Sequence, residues 1–356
     1  RRFSKERLAP FAHAREQNHC ISHATIKELG DLGLLGVNLP EALGGAELGA
    51  VSYALALREV AKGDASVAVT MAVTNMVGEV IQHFGTPEQQ KGHIPKLTSG
   101  EYFGGAFALS EPSAGSDAGS LKTTARRDGD SWVINGEKLW ITTGDQAGVI
   151  VVWARTGEPG PRGISCFLVS CDAPGLTAGK PEEKMGLRAS HTVALSFVDV
   201  RVPSSSMLGK EGEGFKIAMR ALDGGRIGIS AQALGIAGAA MDEVRSYALE
   251  RKQFGKTLDQ FQAIQFKLAD MATELEAGWL LTLRAASLKE SGKQFSREAA
   301  MAKVFATEAA NRAVREAVQI FGGYGYIEEF PVARHYRDCR VTQIYEGTSE
   351  VQRIVI

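Results

Sequence analysis

Glu346 stands between Tyr345 and Gly347 in the stretch QIYEGTSEVQRIVI, residues 343 to 356. A carboxylate beside a glycine, just ahead of what reads as a helix start, needs a reason for its place. Glycine at 347 points to a left-handed backbone or to the close approach of another group. The first turn of a helix also leaves backbone N–H groups free to meet an anion. Ser349 followed by Gln352 predicts a capping box, and Val351, Ile354 and Val355 begin an apolar face. Taken by itself, this stretch fits a solvated glutamate before a helix better than a catalytic one, so the rest of the chain must decide.

Two other segments have residue types suited to holding a ligand. In FALSEPSAGSD, residues 107 to 117, a strand runs into a loop of small polar residues that can offer N–H groups and hydroxyls to phosphates or carbonyl edges. In LWITTGD, residues 139 to 145, Trp140 and Thr142 project to one side of a strand and Ile141 to the other. An indole beside a hydroxyl suits an aromatic ring with polar edges, although a turn and a core tryptophan explain the two segments equally well. Several common chemistries are missing. Gly255-Lys256-Thr257 resembles the end of a P-loop, but Glu250 stands where the first glycine is needed. There is no G-x-G-x-x-G after a strand, no H-E-x-x-H and no G-x-S-x-G, and the histidines lack ligand spacing. An enzyme of this composition draws its difficult chemistry from a bound organic cofactor and not from a metal.

Positioning such groups needs more than one domain, and 356 residues is long for a single core. The formal net charge of −1, without a basic tract, gives no support to nucleic-acid binding. Cys20, Cys166, Cys171 and Cys339 form neither a disulfide framework nor a C-x-x-C pair, which suits a reducing compartment. No secretory signal and no uninterrupted apolar run of membrane-spanning length is evident, so neither secretion nor membrane insertion is expected. Apolar residues at three- and four-residue spacing predict an all-α domain over 1–102. Short runs rich in Val, Ile, Phe, Trp and Thr predict an antiparallel β-domain over 103–211, with hairpin turns at Asp128-Gly129 and Asn135-Gly136. Helical spacing returns over 212–356 and predicts a four-helix bundle, with Phe261, Ile264, Leu268, Met271, Leu275 and Trp279 along one face.

FALSEPSAGSD, LWITTGD, RKQFG, QIFGGYGY and IYEGTSEVQR, in that order and spacing, together resemble the acyl-CoA dehydrogenase family of flavoproteins. The likeness covers essentially the whole chain. The wording LDGGRIGISAQALGIA and FPVARHYRDCRVTQIYEGTSE is most similar to the short-chain branch, which includes butyryl-CoA and short branched-chain acyl-CoA dehydrogenases. The resemblance implies the α–β–α plan, FAD as cofactor, a homotetramer, and an electron-transferring flavoprotein as electron acceptor. It implies a cytoplasmic protein in a bacterium or a mitochondrial matrix protein.

Residue by residue, the resemblance implies that Phe107, Leu109, Ser110 and the loop to Ser116 line the flavin and its pyrophosphate, with Ser116 also touching CoA. Trp140, Ile141 and Thr142 then pack at the flavin. Arg251, Phe254 and Gln262 reach FAD from the bundle, while Gln319, Ile320, Gly322 and Gly323 do so from a neighbouring subunit. Asp223 and Arg226 meet CoA, Tyr345 and Gly347 flank the acyl group, and Thr348 and Glu350 hold FAD beside the catalytic turn. Glu346 aligns with the family's base, which removes the α-proton while flavin N5 accepts the β-hydrogen as hydride, giving a trans-2-enoyl-CoA. The Glu346 N–H and a flavin ribityl hydroxyl receive the thioester oxygen. The helix carrying Met71, Asn75, Met76 and Val80 supplies the acyl pocket's floor by the family plan, although ordinary core packing explains those side chains equally well. Short straight-chain acyl groups are the expected substrates, with isobutyryl and 2-methylbutyryl thioesters as alternatives, and a related flavoprotein oxidase as a further one.

Overall fold

The computed structural model describes all 356 residues. The N-terminal part is helical: α1 (Ala12–Gln17), α2 (His23–Asp31), α3 (Gly49–Gly63), α4 (Ala65–Phe84) and α5 (Pro87–Thr98). Asp64 divides α3 from α4 because its extended backbone cannot continue a helix. Its carboxylate instead accepts the Ser66 and Val67 N–H groups at 2.9 and 3.1 Å, capping α4. A capping box of Thr86 and Gln89 starts α5. By length and composition α4 could cross a membrane, but Asn75 and Glu79 interrupt its apolar run and nearly all of it is buried inside the protein. A helix apolar on every face belongs in a core when other elements surround it.

The middle part is an eight-stranded sheet. Its strands are β1 (Gly105–Ala108), β2 (Thr124–Asp128), β3 (Ser131–Thr142), β4 (Val149–Arg155), β5 (Ile164–Val169), β6 (Leu176–Ala178), β7 (Thr192–Pro203) and β8 (Met207–Leu208). Their order is β6-β7-β3-β2-β4-β5-β8, with β1 also on β4. Most pairs are antiparallel, but β1 runs parallel to β4, and Thr124 meets Arg155 in parallel register. The Asp128-Gly129 turn joins β2 to β3 as expected. Asn135-Gly136 does not turn the chain. It lies within β3 as a bulge facing β7, where the Asn135 side chain both donates to Asp199 Oδ1 and accepts the Asp199 N–H.

The C-terminal part is dominated by α6 (Gly214–Glu250), α7 (Gln262–Glu290) and α8 (Ser296–Phe321), of 37, 29 and 26 residues. A two-stranded ribbon, β9 (Lys252–Gln253) and β10 (Lys256–Thr257), separates α6 from α7. The short helices α9 (Gly323–Tyr326), α10 (Pro331–Arg340) and α11 (Ser349–Val355) follow. The fourth helix of the bundle is the short α10, packed on α6 and α8. On α7, Met271, Leu275 and Trp279 are buried, while Ile264 and Leu268 are half-buried and Phe261 precedes the helix.

The sheet and the bundle meet where Gly186 passes α10. A Cβ at Gly186 would lie 2.4 Å from the Arg337 carbonyl, so only glycine fits. The next residue's N–H, that of Leu187, donates to Asp338 Oδ1 at 2.6 Å, and Arg337 pairs with Glu16 of α1. Burial pushes the Asp338 carboxyl up to about 7, against the Leu187 N–H that favours the anion. The folded protein therefore prefers the neutral acid. The stability this group contributes is whole below the ordinary aspartate range near pH 4, and is lost as pH rises to about 7. Asp338→Asn keeps an acceptor and removes the ionisation. Thermal melts should show it close to the parent near pH 4 and more stable by at least roughly 3 °C at pH 8.

Candidate active site

A 3₁₀ turn at Val341–Gln343 follows α10, and the chain then reverses through two consecutive left-handed residues, Glu346 at φ 53° and Gly347 at φ 88°. A glutamate in that region carries local strain, on the order of 1–3 kcal/mol, which the surroundings must hold. Two side chains hold it. Gln352 Nε2 donates to the Glu346 and Gly347 carbonyls at 3.1 and 2.9 Å, and Lys303 Nζ of α8 donates to the Gly347 carbonyl at 2.6 Å. The expected capping box is thus displaced. Thr348, not Ser349, caps α11 by accepting the Val351 N–H at 3.3 Å, and Gln352 serves the Glu346–Gly347 turn instead.

The Glu346 carboxylate lies against α6 at Gly225, where a Cβ would stand 2.0 Å from Oε2. Oε2 is sealed from solvent and has no hydrogen-bond partner. Burial pushes this carboxyl up to about 7, opposed by the positive charges of Lys303 and Arg226. Arg226 is held by Asp223 at 2.5 Å. The Glu346 N–H donates to no group of the chain and is free for another acceptor. Next to it, Tyr345 is hydrogen-bonded to Gln232 of α6, which donates to the Ala65 carbonyl of α4 at 3.0 Å. Tyr53 of α3 also faces this region, with its hydroxyl opposite Gly228. On α4, Met71, Asn75, Met76 and Val80 are buried. Asn75 is fully engaged, accepting the Val37 N–H and donating to the Leu34 and Met71 carbonyls.

In the sheet, a buried ion pair fixes the first loop. Lys138 Nζ reaches Glu111 Oε1 at 2.8 Å and the Leu109 carbonyl at 3.2 Å, while Glu111 also accepts the Lys122 and Thr123 N–H groups. The Phe107 ring packs on Trp153, and the Leu109 and Ile141 side chains are buried. Leu109 and Ile141 can therefore offer a ligand only backbone groups, whereas the Ser110 side chain is half-buried. Trp140 lies in a register shift of β3 at φ 59° and is 61% exposed, an unusual conformation for an indole. Thr142 is half-buried, and the neighbouring Thr143 hydroxyl anchors this segment to the Gly105 carbonyl at 3.0 Å. Ser116 lines a cavity of about 680 Å³ between the loop and Phe215 and Met219 of α6.

The bundle carries a second cleft, of about 550 Å³, lined by Arg251, Ile320, Gly322 and Gly323 among others. Arg251 and the 320–323 segment thus line one cleft, beyond the C-terminal end of α6. Phe254 is 94% exposed, and Gln262 and Gln319 are exposed at helix ends. The Thr348 hydroxyl is committed to its cap, and Glu350 is exposed on the first turn of α11. The sequence reading missed Lys303, Gln352 as a turn anchor, Gly225, Phe215 and Met219. One signal was available: a lysine among the alanines of AAMAKVFATEAA stands on a face that should be apolar.

Comparison with known proteins identifies the family. The chain matches the acyl-CoA dehydrogenase N-terminal domain over residues 1–101, the middle domain over 106–200 and the C-terminal domain over 212–356. The mitochondrial short-chain specific acyl-CoA dehydrogenase of Bos taurus is 52% identical, over 100% of this chain and 87% of its own. Butyryl-CoA dehydrogenase from Megasphaera elsdenii superposes with a TM-score of 0.97 at 47% identity, covering 99% of this chain and 94% of that one. A chain from a structure of the electron transferring flavoprotein of Acidaminococcus fermentans also gives a TM-score of 0.97, at 46% identity over 99% and 93% of the two chains. Matched along its whole length by the three domains and by a relative 52% identical, the chain belongs to the acyl-CoA dehydrogenase family.

Proposed function

We propose that this protein dehydrogenates a short-chain acyl-CoA between its α- and β-carbons, with Glu346 as the base, to give a trans-2-enoyl-CoA. The observation that carries the reading is the unpartnered, solvent-free Oε2 of Glu346 facing bare α6 backbone at Gly225. A carboxylate with no partner of its own, and a pKa near 7, is suited to accept a weakly acidic α-proton at neutral pH. The Glu346 N–H has no acceptor in the chain and so can receive the thioester oxygen. Losing one such donor typically costs about 100- to 1,000-fold in rate. Asp223, Arg226 and the Ser116 cavity with Phe215 and Met219 offer a route for CoA toward Glu346.

The residues present fit FAD. Trp140 holds an exposed ring in a strained backbone, Thr142 and Ser110 supply hydroxyls, and Arg251 with Gly322 and Gly323 forms a cleft open to a charged or polar group. When bound, FAD supplies the acceptor for the hydride from the β-carbon and hands the electron pair to an electron-transferring flavoprotein. Trp140 and Thr142 orient the ring. Glu350 would reach FAD beside the Glu346 turn, while the Arg251 cleft lies roughly 39 Å along α6 from Gly225 and so, with Phe254, Gln262 and Gln319, would meet the FAD of a neighbouring subunit. Exposed Phe254, Phe266, Leu280 and Tyr326 on the bundle support a homotetramer that covers them. The elements support domains of 1–102, 103–211 and 212–356. Relatives include a mitochondrial protein, so matrix and bacterial cytoplasm are both proposed settings.

The test is anaerobic bleaching of the flavin-loaded protein by butyryl-, isobutyryl-, 2-methylbutyryl- and octanoyl-CoA. Fast bleaching by a short thioester is expected; flavin that none of them bleaches would overturn the reading. Glu346→Gln should keep FAD and bind acyl-CoA while losing roughly 100- to 10,000-fold in bleaching rate. A rate within a few-fold of the parent would remove Glu346 from the role. Trp140→Ala should retain less FAD through gel filtration, and an unchanged flavin content and spectrum would exclude the stacking role.

A further inference from the structure

Lys303 is fully buried on α8 among Ala299, Ala300, Ala302 and Ala306, so its ammonium is held in a place that strongly disfavours a charge. Its one hydrogen bond goes to the Gly347 carbonyl at 2.6 Å, the second left-handed residue of the Glu346 turn. Lys303 also lies close enough to the Glu346 carboxylate for each charge to act on the other, although they share no hydrogen bond. A buried lysine that neither caps a helix nor closes an ion pair needs another reason for its place. Packing alone does not supply one, because a methionine would fill the same channel without the desolvation cost.

We propose that Lys303 is a positioning residue for the base: it fixes the Glu346–Gly347 turn through the Gly347 carbonyl and sets a positive charge beside the Glu346 carboxylate. The inference rests on the dehydrogenase reading of Glu346. The other charged and titratable groups facing that carboxylate come from every neighbouring element. Arg226, tied to Asp223, lies on α6; Tyr345 is on the turn itself; Tyr53 comes from α3; Glu350, at the start of α11, acts on Lys303. Farther along α6, Gly224 faces the Glu79–Lys289 pair, whose charges offset one another at 2.7 Å. Lys303 and Arg226 are thus the two cations acting on Glu346, and Arg226 is already partly neutralised by Asp223. Burial pushes Lys303 down to about 8, which still leaves it mostly charged at neutral pH.

Removing the cation makes Glu346 harder to ionise, so the acid limb of the reaction moves to higher pH. The experiment measures the rate of anaerobic flavin bleaching by butyryl-CoA against pH, for the holoprotein and for Lys303→Gln, Lys303→Met and Lys303→Arg. Gln keeps a donor for the Gly347 carbonyl without the charge, and Arg keeps the charge. In the Gln and Met variants the limb should rise by about one pH unit, a loss of roughly tenfold at pH 6 that shrinks toward pH 8.5. Arg should restore the parent limb. An equal loss at every pH, or an unmoved limb in the neutral variants, overturns the proposal. So does a failure of both neutral variants to retain flavin while Arg is normal, because it assigns Lys303 to folding. If the parent protein itself is not bleached, the dehydrogenase reading fails instead.

Discussion

Everything at the site depends on α6 being bare where the Glu346 carboxylate approaches it. Gly225 leaves a gap that a single Cβ would close, and the Glu346 carboxylate occupies that gap. The turn that carries Glu346 can reach so close only because α6 presents backbone there and because two consecutive residues accept left-handed geometry. One turn further along α6, Gly228 gives the same close approach to the Tyr53 hydroxyl. The helix is thus a wall whose missing side chains define the space beside the Glu346 carboxylate. Such glycines weaken a helix by roughly 1 kcal/mol each relative to alanine, a cost that the long buried helix and its neighbours offset.

The electrostatics follow from the same burial. A carboxylate enclosed by α6, α8 and its own turn is driven toward its neutral form, and only the two cations nearby pull it back. The result is a carboxyl poised near 7, neither a permanent anion nor a permanent acid. A parallel arrangement holds the sheet side. Lys138 and Glu111 are both buried, and their pairing locks the loop after β1 through the Leu109 carbonyl and the Lys122 and Thr123 N–H groups. Removing one member of such a pair is costly, about 3–5 kcal/mol, because the other is left as an uncompensated charge. In both halves of the site, buried charge is used to fix backbone, not to build surface attraction.

The helical parts and the sheet were legible because apolar spacing and β-rich runs report directly on which faces are buried. Glu346 was legible as a candidate through Gly347 and the helix start, and Trp140 through its place beside Thr142. Asn135-Gly136 misled because the same dipeptide serves a hairpin or a bulge, and only its pairing with β7 distinguishes them. The capping box misled because Thr348 and Ser349 are both competent caps, and the pull of the Glu346 and Gly347 carbonyls on Gln352 shifted the frame by one residue. Polar side chains such as Asn75 interrupt the apolar run of α4, and only the elements packed around the helix show that it is buried.

By itself, the sequence determined the kinds of elements, the α–β–α order and the residue types available for chemistry, because these depend on local periodicity and on which side chains can titrate. Only the tertiary structure decided that Lys303 of α8 and Arg226 of α6 stand beside Glu346, and that Gly225 is the surface it rests on. It also brought Arg251 and Gly322 to one cleft, and committed the Leu109 carbonyl to Lys138. These partners are separated by tens of residues or more, and no local pattern encodes which of several buried charges will meet. That choice is made by packing, where the space left by an absent side chain and the cost of an unpaired charge are weighed together.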